Sequence, residues 1–375
     1  MAQLVNINQN PRLLKYLVDF KVFAKDKLEV VDVGARGGFE THWDNYQDQV
    51  DLIGFEPDER ECQRLNEISS SAFKKYYPLA LFKNHQERNL FVTLYKPSSS
   101  LYEPDLNFLK RFPDEKNLKI ESVRATKTIS LDSFLAKTSY KKIDFIKLDV
   151  EGAELDILKG AVKTLKHVFG ISCEVWFYPV HKYQPLFSDV DIFLRNLGFY
   201  LFDLSVGRHA RKVLSDQTFL KVPTSTEKGQ VIWGQAVYLS DAVEEISSKN
   251  SSSWDEIRLL KLISIFDLLN LQDCAIELIE VATGKGLIKK FKKNHLLDLL
   301  TPSVKGAEFS YHQFMNYLRL KDKQSFSANK QTPKNLSAIT VAKRIGKKVL
   351  PKPVQLKFRD ILTGLRDSID NVLKT

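Results

Sequence analysis

Val30-Val31-Asp32-Val33-Gly34-Ala35-Arg36-Gly37-Gly38 is an apolar, β-branched run that stops in a glycine-rich turn. A short run of this kind, bounded by Gly34, reads as a buried strand. Glycines suit the turn because a ligand has to approach the backbone closely there, and because positive φ costs a glycine little. A second apolar run, Leu52-Ile53-Gly54-Phe55, ends in Glu56-Pro57, with Glu56 22 residues after Gly34. An acid at that distance can accept hydrogen bonds from both hydroxyls of a ribose. Together they predict a nucleoside at the carboxyl edge of a parallel sheet.

Charge and spacing narrow the nucleoside. A dinucleotide calls for Gly-x-Gly-x-x-Gly and a helix N-terminus that receives pyrophosphate. Arg36 stands where the second glycine would be, and Asp32 puts a negative charge beside the turn. S-adenosylmethionine has no phosphate and carries a sulfonium and an ammonium, so an acid there favours it.

Outward from this turn, Leu13, Leu14, Leu17, Val18 and Val22 recur at a helical period over 10–25, with Asn10 as cap and Pro11 at the first helical position. Further strands are expected at 73–79, 89–95, 121–129, 143–150, 170–177, 199–204 and 231–239. Helical segments separate several of them, at 58–68, 131–137, 153–166 and 190–197. Alternating strand and helix gives an α/β fold, a doubly wound and mostly parallel sheet over 29–240, after an N-terminal helix in 1–28. Residues 244–253 form a polar linker. Ser253-Trp254-Asp255-Glu256 then reads as a capping box opening a C-terminal helical appendage over 254–320. Residues 321–334 are polar and read as flexible.

The net charge of +10 belongs to the end of the chain: residues 321–375 hold 13 Lys and Arg against 4 Asp and Glu, leaving 43 basic and 42 acidic residues before them. In this basic tail Ile339, Val341, Ala342, Ile345 and Val349 make a short apolar stripe. Leu356, Phe358, Ile361, Leu362, Leu365, Ile369, Val372 and Leu373 mark an amphipathic helix. Basic residues beside such a face suit a peripheral membrane contact, at ~1 kcal/mol per charge, or self-association. Nucleic acid is disfavoured, since the tail lacks interleaved aromatics for base stacking. Composition over the whole chain is that of an ordinary globular protein, 43% apolar and 27% charged. No apolar run of transmembrane length or secretory leader is read. The three cysteines, Cys62, Cys173 and Cys274, show no disulfide or zinc spacing, which suits a cytoplasmic location.

Five blocks carry a family resemblance: Val30-Val31-Asp32-Val33-Gly34-Ala35 with Gly38, Phe55-Glu56-Pro57, Ser99-Ser100-Leu101-Tyr102, Thr128-Ile129-Ser130-Leu131-Asp132, and Lys147-Leu148-Asp149-Val150-Glu151-Gly152-Ala153-Glu154. In this order they resemble the FkbM-type S-adenosylmethionine-dependent methyltransferases, over about residues 29–205. The resemblance implies a class I Rossmann-like fold, S-adenosylmethionine as donor, and O-methylation of a hydroxyl on a glycan or natural product. It does not reach residues 245–375.

The candidate cofactor-binding residues are therefore Asp32, Gly34, Ala35, Gly38, Glu56, Pro57 and Asp149. Asp149 and Glu151 are placed at the end of the fourth strand, where alternation would put both carboxylates on one side. His181 is the third catalytic candidate, since its unperturbed pKa suits a general base. Glu174 is a further base or acceptor contact, and Glu154 either caps its helix or faces solvent. Asp149, Glu151 and Glu174 could hold Mg²⁺ as oxygen ligands, but the spacing does not demand it and no metal is assigned. Two other classes stay open: an NAD-dependent sugar-modifying enzyme, and a catalytically idle cofactor-binding module.

Overall fold

The first two apolar runs pair in parallel as β1 (Leu28–Val33) and β2 (Val50–Phe55), in register from Leu28 and Val50 to Val33 and Phe55. They are seen in a computed structural model that describes residues 6–69, 71–140, 142–212, 229–248, 253–303 and 307–330. After them come β3 (Lys74–Tyr77), β4 (Ala80–Leu81), β5 (Glu87–Thr93), β6 (Ile120–Ile129) and β7 (Phe145–Leu148). The last three are β8 (Gly170–Trp176), β9 (Phe199–His209) and β10 (Gln230–Ser240). The main sheet has seven strands in the order β3-β2-β1-β7-β8-β10-β9. β10 alone runs opposite to the other six strands. This is a class I Rossmann-like sheet, flanked by helices that include α1 (Arg12–Asp19) and α2 (Glu59–Ile68).

The order fixes where a ligand can go. From β1 the chain moves outward to β3, then returns to β7 on the other side of β1. The carboxyl ends of β1 and β7 therefore flank a switch point, where open α/β sheets hold their ligands. The floor beneath it is dense. Val31, Ile53, Leu148 and Ile171 are fully buried, each contributing roughly 1.5–3 kcal/mol.

The strands expected at 89–95 and 121–129 do not join this sheet. β5 and β6 pair antiparallel, with β4 along β6, as a separate three-stranded sheet. From Ile120 to Lys127 no residue of β6 is fully buried, so the strand cannot occupy the middle of a two-sided sheet.

Helix α1 is shorter than its periodicity suggests. It ends at Asp19, and Lys21 takes a positive φ of 56°. Asn10 is not its cap. Its side chain accepts from Lys15 Nζ at 2.9 Å, while the N–H groups of Leu13 and Leu14 donate to Asp267 Oδ2 at 3.0 and 3.1 Å. Asp267 lies on the helix Glu256–Leu268, buried from Leu259 to Leu268. That helix is capped by Asp255, whose carboxylate accepts from Arg258 N at 2.8 Å. The expected box partner Glu256 instead accepts from the N–H groups of Lys289 and Lys290.

The same helix carries a buried ion pair into the sheet. Lys261 Nζ lies 2.9 Å from Asp144 Oδ2 and 2.7 Å from Asp26 Oδ1, and Asp144 Oδ2 also accepts from Glu29 N at 3.0 Å. Helices Gln272–Gly284 and Lys293–Leu300 follow. All of this falls in one compact unit, Met1–Glu308. A second unit, Phe309–Thr375, contains the helix Tyr311–Lys330, so residues expected to be flexible from 321 onward are helical to Lys330. The apolar stripes at 339–349 and 356–373 lie outside the described residues. Among those described, no helix is long and apolar enough to cross a membrane.

Candidate active site

The turn after β1 is held by the ends of its two neighbours. Gly34 N and Ala35 N both donate to Phe55 O, at 3.0 and 3.1 Å. Gly34 has φ +84°, and a Cβ there would lie 1.9 Å from the carbonyl oxygen of Asp149. The close approach that demands glycine thus comes from the end of β7, where a ligand was expected. Gly37 and Gly38 also have positive φ. Ala35 packs with Cys62, Leu65 and Tyr76 behind the turn, and Gly38 faces Tyr76 and Leu65 there.

A cavity opens in front of this turn. Gly34 and Arg36, Glu56-Pro57-Asp58, Leu79 to Leu81, Ser99 to Leu101, and Asp149 with Val150 line it, and Leu90, Val92 and Arg124 of the small sheet complete its wall. The switch point therefore brings together Gly34, Glu56, Pro57 and Asp149 from the candidate set. Asp32, Ala35, Gly38, Glu151 and His181 are not among the lining residues.

Asp32 lies beneath the cavity, 1% exposed, with Lys147 Nζ 3.2 Å from Oδ1 and its other oxygen without a partner. Lys147 also reaches Asp149 Oδ2 at 3.5 Å. Burial raises the Asp32 carboxyl to about 6, with the Lys147 ammonium holding it below neutrality. Burial works against the charge on Lys147, but Asp32 and Asp149 outweigh it and keep the ammonium protonated. Asp32 is thus half of an ion pair, and its charge is already answered. Glu56 is 4% exposed. Its Oε1 accepts from Asp58 N at 2.8 Å and lies 3.6 Å from Arg36 Nη1. Burial raises its pKa, and the Asp58 N–H and Arg36 oppose the rise.

β7 stops at Leu148, so Asp149 and Glu151 stand in the turn beyond it and strand alternation does not place them. Glu151 takes φ +59°, a strained conformation for a non-glycine residue of the sort that clusters at functional sites. Its carbonyl accepts from Ser100 Oγ at 2.7 Å, which ties the serine loop to the turn. Its carboxyl is driven well above the usual range by burial, then by Asp149 and Glu154, with the Ser98 hydroxyl opposing. Glu154 neither faces solvent nor caps in the ordinary sense: its Oε1 accepts from the N–H groups of Val150 and Gly152, at 3.0 and 3.1 Å, and braces the turn. Glu174, at the end of β8, is buried, and its pKa is raised by burial and by Glu151 and Asp149. His181 is sealed at 0% exposure, and burial lowers its pKa to about 4, with Gln184 beside it opposing. Among the described residues, no group of three or more His, Cys, Asp and Glu is arranged to hold a metal ion.

Residues 32–201 match the family described as the methyltransferase FkbM domain, and every lining residue of the cavity falls within that span. This chain carries an FkbM methyltransferase domain. The FkbM domain makes the protein a methyltransferase whose donor is S-adenosylmethionine. No curated protein matches the chain. Among solved structures, it is similar to magnesium protoporphyrin IX methyltransferase from Synechocystis PCC 6803 with bound SAM, at 10% identity over 62% of this chain and 80% of that one, with a TM-score of 0.30. It is also similar to precorrin-6y C5,15-methyltransferase from Geobacter metallireducens GS-15, at 9% identity over 64% and 92%, with a TM-score of 0.31.

Within the FkbM domain, Lys147 is the residue that sequence reasoning passed over. Its signal was present: a lysine between Ile146 and Leu148 in a buried strand needs a carboxylate partner, and Asp32 and Asp149 were both at hand. The donor suits the cavity. Glu56 offers a buried carboxylate beside an apolar wall of Leu79, Leu81, Leu90 and Val92, as a nucleoside requires, and the N-terminus of α2 is already capped by Asp58, which accepts from Arg60 N and Glu61 N.

Proposed function

We propose that the protein is an O-methyltransferase acting on a hydroxyl of a glycan, glycolipid or natural product. The observation that carries this is Glu151, a half-buried carboxyl of raised basicity held at positive φ in the turn that brings Asp149 to the cavity. Bound S-adenosylmethionine supplies an already activated methyl group, so the chain's task is alignment and proton removal. In this proposal Glu56 accepts from the ribose hydroxyls, Gly34 lets the Asp149 backbone close in on the turn, and Asp149 faces the ammonium end. Glu151, as carboxylate, takes the proton of the acceptor hydroxyl. Asp149 and Glu154 set like charge beside it, which strengthens it as a base.

Titration calorimetry with S-adenosylmethionine on the parent, Glu56→Ala and Glu151→Gln tests the division of roles. Loss of hydrogen bonds to a charged carboxylate weakens binding by roughly 10- to 150-fold, from ~1.5–3 kcal/mol, so Glu56→Ala should fall in that range. Glu151→Gln should bind within about twofold of the parent yet lose ~10²–10⁴ in methyl transfer, the worth of a general base. Equal loss of binding in both variants would refute the assignment.

We further propose a cytoplasmic enzyme that meets anionic membrane surfaces through its basic tail. Sedimentation with anionic liposomes, with and without residues 336–375, checks this: pelleting that persists without the tail rules it out.

A further inference from the structure

Next to Glu151 lies a group of side chains that the donor site does not use. Glu174, Trp176, His181 and Gln184 are 6%, 7%, 0% and 6% exposed. Each has a buried polar atom without a hydrogen-bond partner: Glu174 Oε2, Trp176 Nε1, both ring nitrogens of His181, and Gln184 Nε2. Folded chains pair nearly all such atoms, and an orphan costs ~1–3 kcal/mol. Five in one place point to a partner that is not part of the chain.

They form one continuous group. Glu174 and Trp176 share a face of β8, two residues apart. The Trp176 and His181 rings meet edge to face at 5.9 Å. His181 N donates to Gln184 Oε1 at 2.9 Å. A Cβ on Gly152 would lie 3.0 Å from Gln184 Nε2, which brings the group to the residue after Glu151. On its far side Phe108 and Tyr178 stack at 4.0 Å.

We infer that Glu174, Trp176, His181 and Gln184 form the acceptor subsite, and that the acceptor they take is uncharged and rich in hydroxyls, an inference that rests on the O-methyl proposal above. Trp176 and the Gln184 amide offer donors, and a neutral His181 offers one donor and one acceptor. Burial lowers the His181 pKa to about 4 and drives that of Glu174 well above the usual carboxyl range, so both favour their uncharged forms and the group brings no counter-charge. A phosphate or carboxylate on the acceptor would find no counter-charge among these four and would face Asp149 and Glu151. Several hydroxyls would pair the orphans. Entry requires the segment after β8 to part from Glu103 and Pro104, which it meets through the Pro104–His181 bridge and the 2.6 Å Lys182–Glu103 pair.

The test uses the full chain with labelled S-adenosylmethionine, and glucose and rhamnose against glucuronate and glucose 6-phosphate as acceptors. Methyl transfer to the uncharged sugars alone is expected. His181→Leu and Trp176→Phe should each raise acceptor KM about five- to tenfold, with kcat within about threefold and S-adenosylmethionine affinity within twofold. His181→Leu should also keep or raise the thermal midpoint, because the nitrogens it removes have no partner in the unliganded chain. A lowered midpoint with unchanged acceptor KM would mean that an internal water pairs these groups and that they serve the fold, overturning the subsite. Transfer to the charged sugars as readily as to the uncharged ones would overturn it too, while leaving the O-methyl reaction standing. S-adenosylmethionine bound with no sugar methylated would remove both.

Discussion

Gly34→Ala should abolish S-adenosylmethionine binding and lower the thermal midpoint by on the order of 10 °C. Two effects add. An alanine at φ +84° carries the left-handed penalty of ~1–2 kcal/mol. Its Cβ would also lie 1.9 Å from the Asp149 carbonyl, and since that atom is backbone, the ends of β1 and β7 have to separate, adding ~1–3 kcal/mol as overpacking. At ~2–4 °C per kcal/mol for a domain of this size, the midpoint shift follows. Gly37→Ala is the control. It has φ +87° but nothing within 4 Å of a new Cβ, so only the conformational penalty applies and binding should survive. Similar melting curves for the two variants would show that the β1–β7 contact is not what requires Gly34.

Lys261→Met should destabilise the chain by ~3–5 kcal/mol in urea titrations, the cost of leaving a buried charge without its partner. The stranded group is Asp144, whose side chain is 8% exposed, and whose pKa burial already raises against the opposition of Lys261. Without Lys261 that pKa rises further above its unfolded value. The folded variant then binds more protons than the unfolded chain, so the deficit grows as pH rises through the folded pKa and shrinks below it. Lys261→Met measured at pH 5 should therefore sit closer to the parent than at pH 8. Adding Asp144→Leu should recover most of the loss, as apolar replacements of whole buried pairs do, less the partner of Glu29 N. S-adenosylmethionine affinity should stay within twofold throughout, because Asp144 precedes β7 while the site lies beyond its other end. A double variant as unstable as the single one would count against the ion pair as the cause.

What could be read from the chain alone follows from burial. β1, β2, β7, β8 and β10 are wrapped by protein, so their apolar runs are nearly continuous and their order along the chain implies the sheet. β6 has the length and β-branched content of a strand, but which sheet it joins depends on neighbours 27 to 48 residues earlier in the chain. Long-range partners also explain the caps: Asn10 stands where a cap belongs, yet Asp267 does the work from more than 250 residues downstream. At the site, residue types were legible because a nucleoside needs an acid after the second strand and space at the first turn. Their wiring was not. Lys147 on Asp32, Arg36 on Glu56 and the bracing by Glu154 are settled by side-chain directions in three dimensions. Glu151 was singled out through its motif, but its place depends on a left-handed turn that alternation along a strand cannot produce.

The antiparallel β10 has an evolutionary corollary. Because it returns between β8 and β9, the connection from His209 to Gln230 begins and ends at the same rim of the sheet as Trp176, and the register of Trp233 with Trp176 and Gly207 fixes both roots. The donor cavity draws all its walls from residues 33–157. The two roots and the cavity walls thus lie on separate stretches of the chain, so a change at His209 or Gln230 touches no residue that lines the cavity. Sequence variation at one rim of the sheet is therefore uncoupled, residue for residue, from the cavity beside β1 and β7.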